Sequence, residues 1–148
     1  MTGQNSRHGI VVGVDGSAAS IAALRWALTK AGEDKRPITA VEVREPAHAL
    51  PGTSYAVQPH GTAPPVTRTL LHQTVATAVA ALPDAPEVAE MRLRGDPGAE
   101  LARVSEGESM LVLGYRPHSR VTEFLLGRVT ADCLRHARCP VVLVPLIE

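Results

Sequence analysis

The chain has 148 residues, with 15 basic and 15 acidic side chains and a formal net charge of zero. A chain of that length buries about 68–70% of the surface its unfolded form exposes, and with aromatics at only 3% the core must be aliphatic. A neutral balance offers no global field for nucleic acid or an anionic membrane, and no apolar run reaches the 18 residues a spanning helix needs.

One domain over residues 1–148 is expected. The polar start MTGQNSRHG leads straight into an apolar strand, with no apolar targeting segment before it. Cys133 and Cys139 form no CxxC pair, and they read as small buried hydrophobes in a reducing, cytoplasmic setting.

The first element is Gly9-Ile-Val-Val-Gly-Val-Asp15, a β-branched run with the profile of a buried parallel strand. Gly16-Ser17 then opens a helix, with Ser17 as N-cap and an apolar stripe through Ala18, Ile21, Ala22, Leu24, Ala27 and Leu28. Gly32 and the polar run to Pro37 are expected to stop it. A second strand follows at Ile38–Val43. The stretch 46–65 holds five prolines and two glycines without any period, and reads as either a variable surface loop or a lid.

Helical spacing returns from Val66 to Leu82 and ends at Pro83. Val88–Leu93 alternates as a partly exposed strand near a sheet edge. Pro97 suits the first position of a short helix running to about Val104. Met110–Gly114 is the next buried strand, Val129–Ala137 the last helix and Val141–Val144 the final strand. The order βαβαβαβαβ predicts a doubly wound α/β sheet with helices on both faces and right-handed crossovers. Ligands bind such sheets beyond the carboxyl ends of strands, which directs attention to Asp15 and Gly114.

The first turn lacks the GxGxxG spacing, and GxxxxGK[ST] occurs nowhere, so neither a dinucleotide fingerprint nor a Walker site is present. The aspartate and lysine of a phosphorelay receiver are also missing from the later strands. Asp15 has two open roles, capping its own turn or contacting a ribose hydroxyl or adenine amino group. In GYRPHSRVTEFLLGRVT, Gly114 ends a strand and Gly127 opens a helix whose first N–H groups have no helical partners, an arrangement that attracts phosphate. His118 has no local carboxylate or nucleophile beside it, and the six histidines show no metal spacing. No catalytic constellation stands out, so a binding module is expected rather than an enzyme. A nucleotide-hydrolysing enzyme is disfavoured by the missing Walker lysine.

Ile10-Val-Val-Gly-Val-Asp-Gly-Ser17, Gly95-Asp-Pro-Gly98, Leu111-Val-Leu-Gly114, Leu125-Leu-Gly-Arg-Val-Thr130 and the closing Leu134–Val144 together resemble the universal stress protein family. The resemblance implies a five-stranded parallel sheet in the order 3-2-1-4-5, a stress-response role, and commonly a homodimer, here through the edge strand Val141–Val144. It also implies an adenine-nucleotide site, with ATP the first candidate. Asp15 and Val41 would hold the nucleoside. Gly114, Gly127 and Thr130 match the phosphate-facing positions, and Arg116, Arg128 and Val129 complete the candidate site beside them.

Two positions depart from the family's nucleotide motif. Its middle glycine falls on Pro117, which has no N–H to donate, and its terminal Ser/Thr falls on Arg128. Arg128, with Arg116 and Arg120, could pair with phosphate through guanidinium donors. It could equally be a solvated surface charge or a plug in the phosphate end. The alternative function is a dimeric scaffold of the same fold that no longer binds ATP and acts through protein partners.

Overall fold

The computed structural model describes residues 8–46, 65–117 and 127–147, with backbone alone for 65–69. The long segment expected at 46–65 lies outside them except for its two ends, as do His118 and Arg120. Nine elements alternate: β1 (Ile10–Gly13), α1 (Ala18–Asp34), β2 (Ile38–Arg44), α2 (Pro65–Ala80), β3 (Val88–Arg94), α3 (Pro97–Val104), β4 (Met110–Tyr115), α4 (Arg128–His136) and β5 (Val141–Pro145). The strands form one sheet in the order β3-β2-β1-β4-β5. All four pairings are parallel, and Ile10 sits in register with both Ile38 and Met110. The doubly wound sheet expected from the sequence is the one observed. Among the described residues no helix is long and apolar enough to cross a membrane.

Alternation along β1 divides the core. Ile10, Val12 and Val14 point to one face with Ile38, Ala40 and Val112, where α1 supplies Ala23, Leu24, Ala27, Leu28 and Ala31 and α2 supplies Leu71, Val75 and Ala78. Val11, Val41, Leu111 and Leu113 point to the other, against Leu101 of α3 and Cys133 of α4. Burying one such aliphatic side chain is worth about 1.5–3 kcal/mol, and strands covered on both faces are nearly all apolar for that reason. Glu42 is the exception. It is buried on β2, its Oε1 has no hydrogen-bond partner, and Arg44 Nε stands 3.8 Å from Oε2.

Several boundaries differ from the sequence expectation. The buried stripe of α1 is rotated: Ser20 and Ala31 belong to it, whereas Ile21 and Ala22 are half-buried and Ala18 is exposed. Gly32 stays helical, and the helix ends when Lys35 adopts a left-handed conformation at φ 54° and its N–H reaches the Ala31 carbonyl. Position 35 therefore does what a glycine there would do more cheaply. Helix α2 stops at Ala80, two residues before Leu82. Cys139 is half-buried rather than buried, unlike Cys133.

Helix capping at the other starts follows the sequence closely. Ser17 caps α1 by accepting from the Ser20 N–H at 3.2 Å. Asp96 caps α3 by accepting from Ala99 N–H at 3.0 Å, with Pro97 in the first turn. α4 begins at Gly127, which has no side chain to cap with.

Among the described glycines, the tightest surroundings are at Gly114, where α1 meets β4. A Cβ added at Gly114 would collide with the carbonyl group of Ala19 and come within 3.0 Å of the Ser20 nitrogen. Both are backbone, so neither can swing aside. Among the described residues beyond its chain neighbours, none comes within 4 Å of such a Cβ at Gly127. Urea unfolding should therefore separate the two: Gly114→Ala is expected to lose about 3 kcal/mol, at the upper end for overpacking, and Gly127→Ala less than about 1 kcal/mol.

Candidate functional site

At the carboxyl ends of β1, β2 and β4 the connections diverge, β1 leading into α1 and β4 toward α4. A cleft of about 610 Å³ opens there. Small residues create it. Gly13 lets Leu113 and Leu101 close in to 2.8 and 3.0 Å from where its Cβ would lie, and these two leucines line the interior with Val41 and Val43. An apolar floor of this kind suits a flat ring system, with a few polar groups fixing its orientation.

All eight residues singled out in the sequence line this one cleft: Asp15, Val41, Gly114, Arg116, Gly127, Arg128, Val129 and Thr130. They come from four separate stretches of chain, joined only by the sheet order. Pro117 is exposed and does not line it. Sequence reasoning missed Ser20, Val43, Pro97, Leu101, Leu113 and Tyr115 as lining residues. Pro97 and Leu101 arrive because α3 packs across the face of β2, a tertiary relation that no local pattern announces. Ser20 did carry a signal, as a lone hydroxyl inside the buried stripe of α1.

The Asp15 turn is built from reciprocal hydrogen bonds. Ser17 N–H donates to Asp15 Oδ1 at 2.9 Å, while Asp15 N–H donates to Ser20 Oγ at 3.3 Å and Ser20 Oγ–H to the Ser17 carbonyl at 3.0 Å. Gly16 makes the turn possible at φ +84°. The turn-capping role of Asp15 is thus filled; the residue also lines the cleft, and its carboxylate keeps acceptor capacity in hand. Burial pushes the Asp15 pKa up, but hydrogen bonds from Ser17 and Ser20 favour the carboxylate more, and the net pKa lies below the usual value.

The other end of the cleft is formed by the start of α4. Thr130 is buried there and Val129 is 36% exposed. The Arg128 side chain is 79% exposed, with its guanidinium 3.9 Å from both Asp96 Oδ1 and Asp132 Oδ2. It stands at the rim between two carboxylates and does not fill the cleft. Burial, then the neighbouring carboxylates of Asp132 and Asp96, push the Cys133 thiol up to about 11, so this buried sulfur is neutral and unreactive at physiological pH. No group of three or more metal-binding side chains occurs among the described residues.

The model of the universal stress protein family matches residues 7–145. The chain belongs to the universal stress protein family. Universal stress protein Rv1996 of Mycobacterium tuberculosis is 30% identical over 159 residues, an alignment covering 98% of this chain and 50% of that protein. The chain thus spans about half the length of the relatives it matches. Among solved structures, a universal stress protein in complex with cAMP aligns with TM-score 0.65 at 24% identity, over 94% of this chain and 98% of that one. A universal stress protein family protein from Arabidopsis thaliana with AMP bound aligns with TM-score 0.61 at 22% identity, over 95% and 93% of the two chains. At these identities the likeness is one of fold.

In this universal stress protein domain the Asp15 turn has a pH signature. Its pKa is lower in the folded than in the unfolded chain, so the folded state binds fewer protons as pH falls toward the carboxylate range. The stability it adds is complete above an unfolded pKa of about 3.9 and is lost as pH drops through the folded value. Asp15→Asn should lower the thermal unfolding midpoint at pH 7, and the gap from the parent should close as the pH is taken below that range.

Proposed function

We propose that this chain is an adenine-nucleotide-binding module of the universal stress protein family that acts as a sensor or regulator in a stress response. The observation that carries this reading is the convergence of Asp15, Val41, Gly114, Arg116 and the Gly127–Thr130 helix start on one apolar-floored cleft. In this reading the adenine lies over Val41, Val43 and Leu101. The Asp15 carboxylate accepts from the ribose, and the phosphates reach the first N–H groups of α4, where donors and helix dipole coincide. Related folds carry cAMP and AMP in the two proteins described above, which supports adenine as the base. ATP is a further candidate ligand. In this reading the chain works by binding. It acts in the cytoplasm as a homodimer, with the half-buried edge strand β5 packed against its copy.

Two measurements test the reading. Mass spectrometry of the protein as purified should reveal an adenine nucleotide released on unfolding. Asp15→Ala should weaken adenosine and AMP alike, by roughly 1.5–3 kcal/mol for the loss of a hydrogen bond to a charged group. Unchanged calorimetric affinity for both ligands in that variant would defeat the assignment of Asp15 to the nucleoside.

A further inference from the structure

The phosphate end of the cleft has an unusual charge arrangement. Arg128 is drawn toward two carboxylates from different helices, Asp96 at the start of α3 and Asp132 one turn along α4, each at 3.9 Å. Neither carboxylate is a loose surface charge. Asp96 is fixed by its cap on Ala99 N–H at 3.0 Å and directly precedes Pro97 of the cleft wall. Asp132 is pinned where α3 and α4 meet: a Cβ at Gly98 would strike its Cβ, and the Asp132 Oδ2 would lie 3.2 Å away. The same region joins the two helices through the Cys133 thiol, which donates to the Gly98 carbonyl at 3.9 Å.

A phosphate arriving at α4 meets Arg128 with two carboxylates already 3.9 Å from its guanidinium. It must share the guanidinium with two fixed anions or draw it away from them. Each additional phosphate on the chain adds negative charge beside those carboxylates, whereas the attraction of the helix start falls off within its first turn. The first phosphate gains most, and later ones gain less and are repelled more.

We infer that Asp96 and Asp132 are specificity-determining residues that make the cleft select a nucleotide with a single phosphate over a triphosphate. This rests on the adenine-nucleotide reading above and extends it from the class of base to the length of the phosphate chain. The two carboxylates act through Arg128 and through their own charge, without touching the nucleoside.

Asparagine tests the inference with little risk to the fold, because it caps helices about as well as aspartate and matches its shape. Calorimetry with adenosine, AMP and ATP should be run on the parent and on the Asp96→Asn/Asp132→Asn double variant, after checking that their thermal midpoints agree within a few degrees. The parent should bind AMP more tightly than ATP. The double variant should gain roughly five- to tenfold in ATP affinity, with a smaller gain for AMP. Added salt should narrow the parent's preference, since the carboxylates are partly exposed and screened. An unchanged ratio of ATP to AMP affinity in the double variant overturns the inference and leaves the adenine-nucleotide reading standing. Adenosine binding with neither nucleotide bound does the same. If the parent binds none of the three, the nucleotide reading itself falls, and the selectivity falls with it.

Discussion

The contact on which the site depends is backbone against backbone: the first turn of α1 lies directly on Gly114 of β4, with no room for even a methyl group between them. That approach brings the end of β1, the start of α1 and the end of β4 to one point. Asp15, Ser17 and Ser20 are carried in with the helix, and their mutual hydrogen bonds lock the turn once it is there. A glycine usually discussed for the ligand it admits is needed first for the packing it permits. Of the residues lining the cleft, Gly13 and Gly114 let larger neighbours pack close around them.

The two ends of the cleft are made by different means. At the Asp15 end the geometry is over-determined, with a positive-φ glycine, an N-cap and a buried serine all specifying one turn. At the α4 end the specification comes from charge, with Arg128, Asp96 and Asp132 arrayed along an exposed rim. Packed backbone holds its shape at any ionic strength, whereas exposed ion pairs contribute little and are screened by salt. The Asp15 end is therefore the rigid half of the cleft and the α4 end the adaptable one.

Much of the fold could be read from the sequence because each strand is a continuous apolar run bounded by turn residues, and each helix carries a recognisable start. Ser17 and Pro97 are such starts, and both stand where local chemistry puts them. The ends were harder. Gly32 looked like a stop, but helix propensity costs it only about 1 kcal/mol, and the tertiary contacts of Leu28 and Ala31 carry α1 past it to Lys35. Nothing in Ile38–Arg44 marks Glu42 as buried, since its burial comes from what crosses over β2. The same limit applied to the cleft. Residues within motifs were visible, while Leu101 and Pro97 came from a helix whose placement only the sheet order decides.

The start of α4 differs from the other capped starts in this chain. Ser17 and Asp96 each supply an oxygen to the first turn of their own helix, whereas Gly127 supplies none. Thr130 and Cys133, the buried residues of the helix, oppose fraying at that end. In the nucleotide-binding reading, an anion seated there would take up donors that a serine hydroxyl satisfies in α1, and occupancy and the folding of the first turn would become one equilibrium. A missing hydroxyl would then make the ligand part of the secondary structure.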